Sequence, residues 1–387
     1  MPTAREGVHE RLHHRYSAGT LPSPASLRGF QTAMSTLPEP KVAVATTPAN
    51  RSPGSPPTIA PDIVARDRPA VPADAPTSPA ADDDALQPAR RPIKTTVNCY
   101  EFFERVFPQC GFLDLTEGIY RGDPTVPYAQ AQQNQINWLL DQVGCGPGSR
   151  ILDIGCGNGT LVEAAVRRGA TAIGITISPA QVRRCRQRGL DVRLIDYRDL
   201  GDVWRGRFDG VIANGSIEHF VQPEDVLAGR DDAVYRQLFA ICRHVLKPGT
   251  QGRMATTVIH RHEGTPRIRN EDLLKSPWRF RWGSPEFHYA LLQRGFGGFY
   301  PEPGQLARCA GPYFDLVLEV DGTQDYHFTS EQWMTEALDK LLSWKSGTRI
   351  LPRLLAYALR HPRHAATMLT CLFVAESWQR QFRGENP

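Results

Sequence analysis

The chain has 387 residues, a formal net charge of +4 and 41% hydrophobic residues. Such a length supports a sizeable buried core, and its mixed charges form no basic stripe, so no nucleic-acid partner is expected. There is no apolar run of about 18 residues to cross a membrane, the start MPTAREGVHE lacks a signal peptide's apolar stretch, and the eight cysteines are single and widely spaced, so a reduced, cytoplasmic protein is expected.

In chain order, residues 1–92 hold 16 of the 32 prolines and read as a disordered Pro/Ala-rich tail. Folding is expected from about Thr96, with a helical cap over 93–148. A short amphipathic helix is predicted over Tyr100–Phe107 and a second over 129–143, where Ile136, Leu139, Leu140 and Val143 share a face. Strands are predicted at Arg150–Ile154, Thr171–Ile175, Val192–Ile195, Phe208–Ile212 and Arg253–Ile259. The helices between them are predicted at Leu161–Arg168, Pro179–Arg188 and Asp232–Leu246. This alternation predicts βαβ units and an α/β, mainly parallel sheet with its ligand site beyond the carboxyl ends of the strands. The core is expected over 149–260, an irregular insertion over the site at 261–313, the last strands of the core at 314–335, and C-terminal helices over 336–387.

The sharpest feature is Ile151-Leu-Asp-Ile-Gly-Cys-Gly-Asn-Gly159, a strand running into an acid and three alternate glycines, with a helix next. Glycines there allow a tight turn and close approach of a ligand to the backbone. A dinucleotide site needs G-x-G-x-x-G and pyrophosphate at the helix N-terminus. Here the glycines are Gly155, Gly157 and Gly159, and Asp153 would repel pyrophosphate but suit a cationic ligand. S-adenosyl-L-methionine, with its ammonium and sulfonium, is such a ligand.

The run to Gly159, Phe208-Asp209 and Val245-Leu-Lys-Pro-Gly249 resemble the class I S-adenosylmethionine-dependent methyltransferases. Gly174-Ile-Thr-Ile-Ser-Pro-Ala-Gln181, Asp196-Tyr-Arg-Asp199 and Ile217-Glu-His-Phe220 resemble, within them, the cyclopropane fatty acid synthase and mycolic acid methyltransferase family. The later segments Tyr300-Pro-Glu-Pro-Gly-Gln-Leu306 and Asp325-Tyr326 add weaker matches. The resemblance covers about 115–335. It implies a Rossmann-like fold with a mainly parallel seven-stranded sheet, helices on both faces, a helical N-terminal cap and C-terminal helices.

It also implies site roles. Many class I enzymes carry an acid at the end of the second core strand for the ribose; Thr176 stands there. By resemblance, Thr176, Ile177 and Gln181 hold the ribose side, and Asp196 and Tyr197 lie against adenine. Asp153, Gly155, Cys156, Gly157, Asn158, Gly159 and Asn214 complete the cofactor set, with Glu117 and Tyr120 lining the cofactor or acceptor pocket. Glu218 is the leading catalytic residue, because the family's matching Glu helps hold a bicarbonate that acts as base. His219, Tyr326 and Tyr313 are further candidates for taking a proton, and the sequence does not choose among them. Two bicarbonate ligands are missing: Gly118 replaces a Cys and Thr257 a His. Methyl transfer without ring closure is therefore expected. The acceptor is read as a lipid-like, unsaturated fatty acyl chain or another small molecule. The alternatives are a natural-product O-, N- or C-methyltransferase, or a non-catalytic methyltransferase-fold binding protein. No metal is expected. The basic amphipathic stretch Leu351–Phe382 reads either as a cap on the sheet or as a peripheral membrane contact.

Overall fold

The computed structural model describes residues 42–46, 94–106, 116–248, 252–261, 272 and 275–383. Five parallel strands form the centre, in the order β4 (Val192–Leu194), β3 (Thr171–Thr176), β2 (Arg150–Ile154), β5 (Gly210–Asn214), β6 (Arg253–Thr257). The sheet is mainly parallel, as expected, with five strands in its parallel part. Two more strands, β1 (Val42–Thr46) and β7 (Asp315–Val320), extend the sheet beyond β6; β1 pairs antiparallel with both β6 and β7.

β1 comes from the stretch expected to be tail. Val42-Ala-Val-Ala-Thr46 is a proline-free run between Pro40 and Pro48, and its β-branched residues suit a ladder that the surrounding prolines would break. The rest of 1–92, apart from these five residues, lies outside the described residues.

The strands are apolar on both faces, as a sheet covered on both sides requires. On β2, Ile151 packs with α2 (Tyr128–Gln142) and α3 (Thr160–Arg167), while Leu152 and Ile154 join the opposite core. β5 alternates in the same way, Ile212 on one side and Val211 and Ala213 on the other. The second core takes in α6 (Asp231–Val245) and the C-terminal helices. Asp209 ties strand starts together: its carboxylate accepts from Arg150 N–H at 2.9 Å and pairs with Lys247 at 2.8 Å. The Phe-Asp and Leu-Lys-Pro-Gly motifs are thereby explained as one structural clasp.

α1 (Lys94–Val106) begins six residues before the expected helix at Tyr100 and forms the cap with α2. The interval 261–313 is less irregular than expected. It contains α7 (Pro285–Phe296) and α8 (Gln305–Ala310); Ser284 caps α7 by accepting from Phe287 N–H at 3.2 Å, with Pro285 at the first turn. Ser-Pro-Glu followed by an apolar run is a helix-start signal that the glycines and aromatics nearby obscured. The interval 314–335 holds one strand, not several; α9 (Thr323–Leu342) follows it at once. α10 (Trp344–Arg360), α11 (Pro362–Leu369), a π turn at Thr370–Val374 and α12 (Ser377–Arg380) complete the chain. Among the described residues no helix is long and apolar enough to cross a membrane.

Candidate active site

The parallel strands end together at Ile154, Thr176 and Asn214, and the segments that follow them open a cavity. Gly155 sits at φ +77°, and a Cβ there would lie 2.6 Å from Ser216 Cβ. Only glycine lets the β2 turn pass beneath the β5 loop, where the Ser216 hydroxyl donates to the Ile154 carbonyl at 2.9 Å. The amides of Gly155 and Cys156 both donate to the Ile175 carbonyl, at 2.9 and 3.0 Å, which fixes the turn against β3.

One cavity receives Glu117, Asp153, Gly155, Cys156, Gly157, Asn158, Thr176, Ile177, Gln181, Asp196, Tyr197 and Asn214, together with Glu218, His219 and Tyr326. Three expected residues are not on its wall. Gly159 caps α3 behind it, where its Cβ position faces Leu190 and Cys185. Tyr120 turns the other way: it is buried, its ring packs edge-on against Phe328, and its amide donates to Asp325 at 2.7 Å. Tyr313 lies just past α8, where its amide donates to Ala310. Sequence spacing could not foresee the Tyr120 contact, because α9 lies about two hundred residues away.

The polar wall is internally bonded. Thr176 Oγ1 donates to Gln181 Oε1 at 2.6 Å, and Arg184 donates to Asn158 Oδ1 at 2.9 Å. Asp196 is gripped by the Arg198 guanidinium, Nε–Oδ1 being 2.9 Å, and also accepts from Arg198 N–H. Tyr197 stacks on Phe220 with centroids 4.5 Å apart. Gln135 Nε2 and Thr257 Oγ1 each donate to Asn214 Oδ1 at 2.9 Å, and Gly215 N–H donates to Thr257 Oγ1 at 2.8 Å. Thr257 therefore holds the β5 loop instead of facing a ligand.

Glu218 lies on the one-turn helix Ile217–His219 after β5. It is buried, and its Oε2 has no hydrogen-bond partner. Burial, with the Glu117 carboxylate adding to it, pushes its carboxyl up to about 8. The insertion seals this point: Gly298, at φ +78°, comes so close that a Cβ would meet the Glu218 carbonyl at 2.2 Å, and Phe299 N–H donates to that carbonyl at 3.1 Å. The His219 ring meets Tyr100 edge-on at 5.7 Å, and burial lowers its value to about 4, leaving a neutral, weakly basic imidazole. Burial, then the Glu117 and Glu218 charges, raise the Tyr326 phenol well above its ordinary value, and its ring stacks on Phe382 at 4.1 Å.

Sequence reasoning missed two parts of the wall. α1 contributes Thr96, Cys99, Tyr100, Phe103 and Glu104, and the rest of the wall has Phe296, Trp333 and Trp378 from three separate helices and Tyr300 from a loop. The i, i+4, i+8 spacing of Thr96, Tyr100 and Glu104 was the available signal for α1.

Residues 118–282 match the family model described as mycolic acid cyclopropane synthetase. A cyclopropane-fatty-acyl-phospholipid synthase from Escherichia coli (strain K12) is 29% identical over 208 residues, 52% of this chain and 46% of that protein. Over this segment the chain is similar to the cyclopropane synthases. The chain spans about half the length of the curated relatives it matches. In fold it resembles the cyclopropane synthase MmaA2 from Mycobacterium tuberculosis, with a TM-score of 0.52, 18% identity, and coverage of 75% of this chain and 93% of that one. It also resembles the mycolic acid cyclopropane synthase CmaA1 complexed with SAH and CTAB, with a TM-score of 0.50, 18% identity, and the same coverage of 75% and 93%.

The resemblance read from the sequence breaks where Gly118 and Thr257 stand. A Cβ at Gly118 would lie 2.5 Å from Ala131 Cβ, so a cysteine does not fit there without moving α2. Thr257 is committed to Asn214 and Gly215.

Proposed function

We propose that the chain uses S-adenosyl-L-methionine to methylate carbon in an apolar, unsaturated acyl chain, without closing a ring. One observation carries this: Glu218, with its buried and unpartnered Oε2, lines the same cavity as the polar strand-end residues and the aromatic rings of Phe103, Phe296, Trp333 and Trp378. The polar end fits the cofactor. Asp153 is a buried carboxylate suited to an ammonium, the glycine turn leaves room for close approach, and the α3 N-terminus follows. When bound, that cofactor supplies an activated methyl group on a sulfonium.

The protein's own tasks are then few. Phe103, Phe296, Trp333 and Trp378 exclude water and hold an apolar chain. Methylating an alkene carbon creates a cation that must lose a proton, and the Glu218 carboxylate accepts it. A carboxyl raised to about 8 is a stronger base than an ordinary one when ionised, and its working range lies near neutral pH. With Gly118 and Thr257 in place of two anion ligands, Glu218 acts directly instead of through bicarbonate.

A lipid acceptor has to be reached at a surface. α10 displays Trp344, Leu351, Leu355 and Leu359 at 83, 54, 62 and 76% exposure. Lys345, Arg349, Arg353 and Arg360 flank them, and the helix has no acidic residue. Its inner side packs on α1, Tyr357 donating to the Asn98 carbonyl at 3.1 Å and meeting Phe102 edge-on. An interfacial helix on an anionic lipid surface has this pattern of apolar and cationic arcs. α10 would thus place the lipid against the helix that roofs the cavity.

The test is incubation with methyl-labelled cofactor and phospholipid vesicles bearing unsaturated chains. Label in the fatty acids is the expected result. Binding of S-adenosylhomocysteine with no label in lipid would turn the choice to a natural-product acceptor or a non-catalytic binding protein.

A further inference from the structure

The sheet side of the cavity offers a nucleoside's ribose little free acceptor capacity. At the end of β3 stands Thr176, whose hydroxyl donates to Gln181 and already accepts from Ser178 N–H at 3.2 Å. Asp196, at the end of β4, is held by Arg198 through two nitrogens of the guanidinium. A ribose presents two adjacent hydroxyl donors, and a carboxylate is the acceptor that matches them.

Such a carboxylate arrives from the opposite side. Glu104, on α1, lines the same cavity beside Gln181 and Arg184. Its side chain is 11% exposed, its Oε2 lies 3.9 Å from Arg184, and its Oε1 is buried with no hydrogen-bond partner. Two turns earlier on α1, Thr96 Oγ1 is also buried, without a partner, on the cavity wall. A buried acceptor left unpaired costs stability, so a ligand that donates to it gains from a vacancy already formed.

We propose that Glu104 binds the cofactor, its carboxylate accepting the ribose hydroxyls from the α1 side in place of an acid on the sheet. Glu104 precedes the segment that matches the family. The inference rests on the S-adenosylmethionine reading above. Burial raises the Glu104 carboxyl, the Arg184 charge and a side-chain hydrogen bond from Gln181 opposing it, and two hydroxyl donors would favour the ionised form further. Cofactor binding then also fixes α1, the roof of the acceptor chamber.

The experiment is calorimetry on the full chain with S-adenosylhomocysteine and with its 2′-deoxy and 3′-deoxy analogues. Wild type, Glu104→Ala and Glu104→Gln are compared, with melting temperatures measured alongside. Wild type should prefer the parent ligand to the deoxy analogues by about tenfold or more, the scale of one charged hydrogen bond. Glu104→Ala should weaken the parent ligand by a similar factor and the analogues much less; Glu104→Gln, of the same shape, should fall between. Equal losses for all three ligands would mean that Glu104 only supports the roof and would overturn the inference. Unchanged affinity for the parent ligand would overturn it too. A folded wild type that binds none of the ligands would instead refute the cofactor reading itself.

Discussion

Replacing Glu218 by Gln should make the protein more stable and nearly inactive. The buried carboxyl is raised from 4.5 to about 8. Its folded value lies above the unfolded one, so the folded chain binds more protons between them. The stabilising contribution of the protonated form is complete below pH 4.5 and is lost as pH rises through about 8. At about 1.4 kcal/mol per pH unit, the accumulated cost above pH 8 reaches up to about 5 kcal/mol, with solvent relaxation reducing it. Gln keeps the shape and carries no charge, so the variant lacks this slope. Urea unfolding at pH 5, 7 and 9 should give similar stabilities at pH 5 and a variant ahead by a few kcal/mol at pH 9. Turnover should drop about a hundredfold or more, while S-adenosylhomocysteine affinity changes little. Parallel stability curves for the two proteins would refute the burial argument, and a fully active variant would remove Glu218 from the chemistry.

Gly157→Val should abolish S-adenosylhomocysteine binding in calorimetry with the far-ultraviolet circular dichroism preserved, because the residue lines the cavity at φ +54°; NAD should bind neither protein. His219 is lowered to about 4 by burial, so its contribution to stability is present above pH 6.5 and is lost as pH falls through about 4. His219→Phe should flatten the acid limb of a denaturation–pH series and retain most activity, and a loss comparable to that of Glu218→Gln would identify His219 as the base. Leu355→Asp with Leu359→Asp should prevent sedimentation with anionic phospholipid vesicles while leaving S-adenosylhomocysteine affinity unchanged, and undiminished sedimentation would place the lipid contact elsewhere.

The strand-end wall of the cavity was legible because its determinants are local. The Gly155–Gly159 turn, Asp153 and the Thr176–Gln181 pair each lie within one βα unit, where chain direction alone puts them at the strand ends. The aromatic wall was not. Phe103, Phe296, Trp333 and Trp378 are separated by most of the chain and read locally as core residues of unrelated helices. Tyr120 was misjudged for the same reason, since its neighbours Asp325 and Phe328 come from α9. The Val42–Thr46 strand was hidden by composition: five residues, three of them β-branched, do not alter the character of a proline-rich stretch, yet they suffice to bridge β6 and β7. Gly118 is the converse case. It stood out as a missing cysteine, and its contact with Ala131 shows why glycine is needed there.

The central claim is methyl transfer to an acyl chain with Glu218 as the direct proton acceptor, and structural analysis of the fatty acids formed tests it most directly. The full chain would be incubated with S-adenosylmethionine and unsaturated phospholipid, with and without bicarbonate, and the recovered chains examined by mass spectrometry and NMR. The predicted product is a methyl or methylene branch, formed equally well without bicarbonate and absent with Glu218→Gln. A cyclopropane ring, or formation that requires bicarbonate, would contradict it.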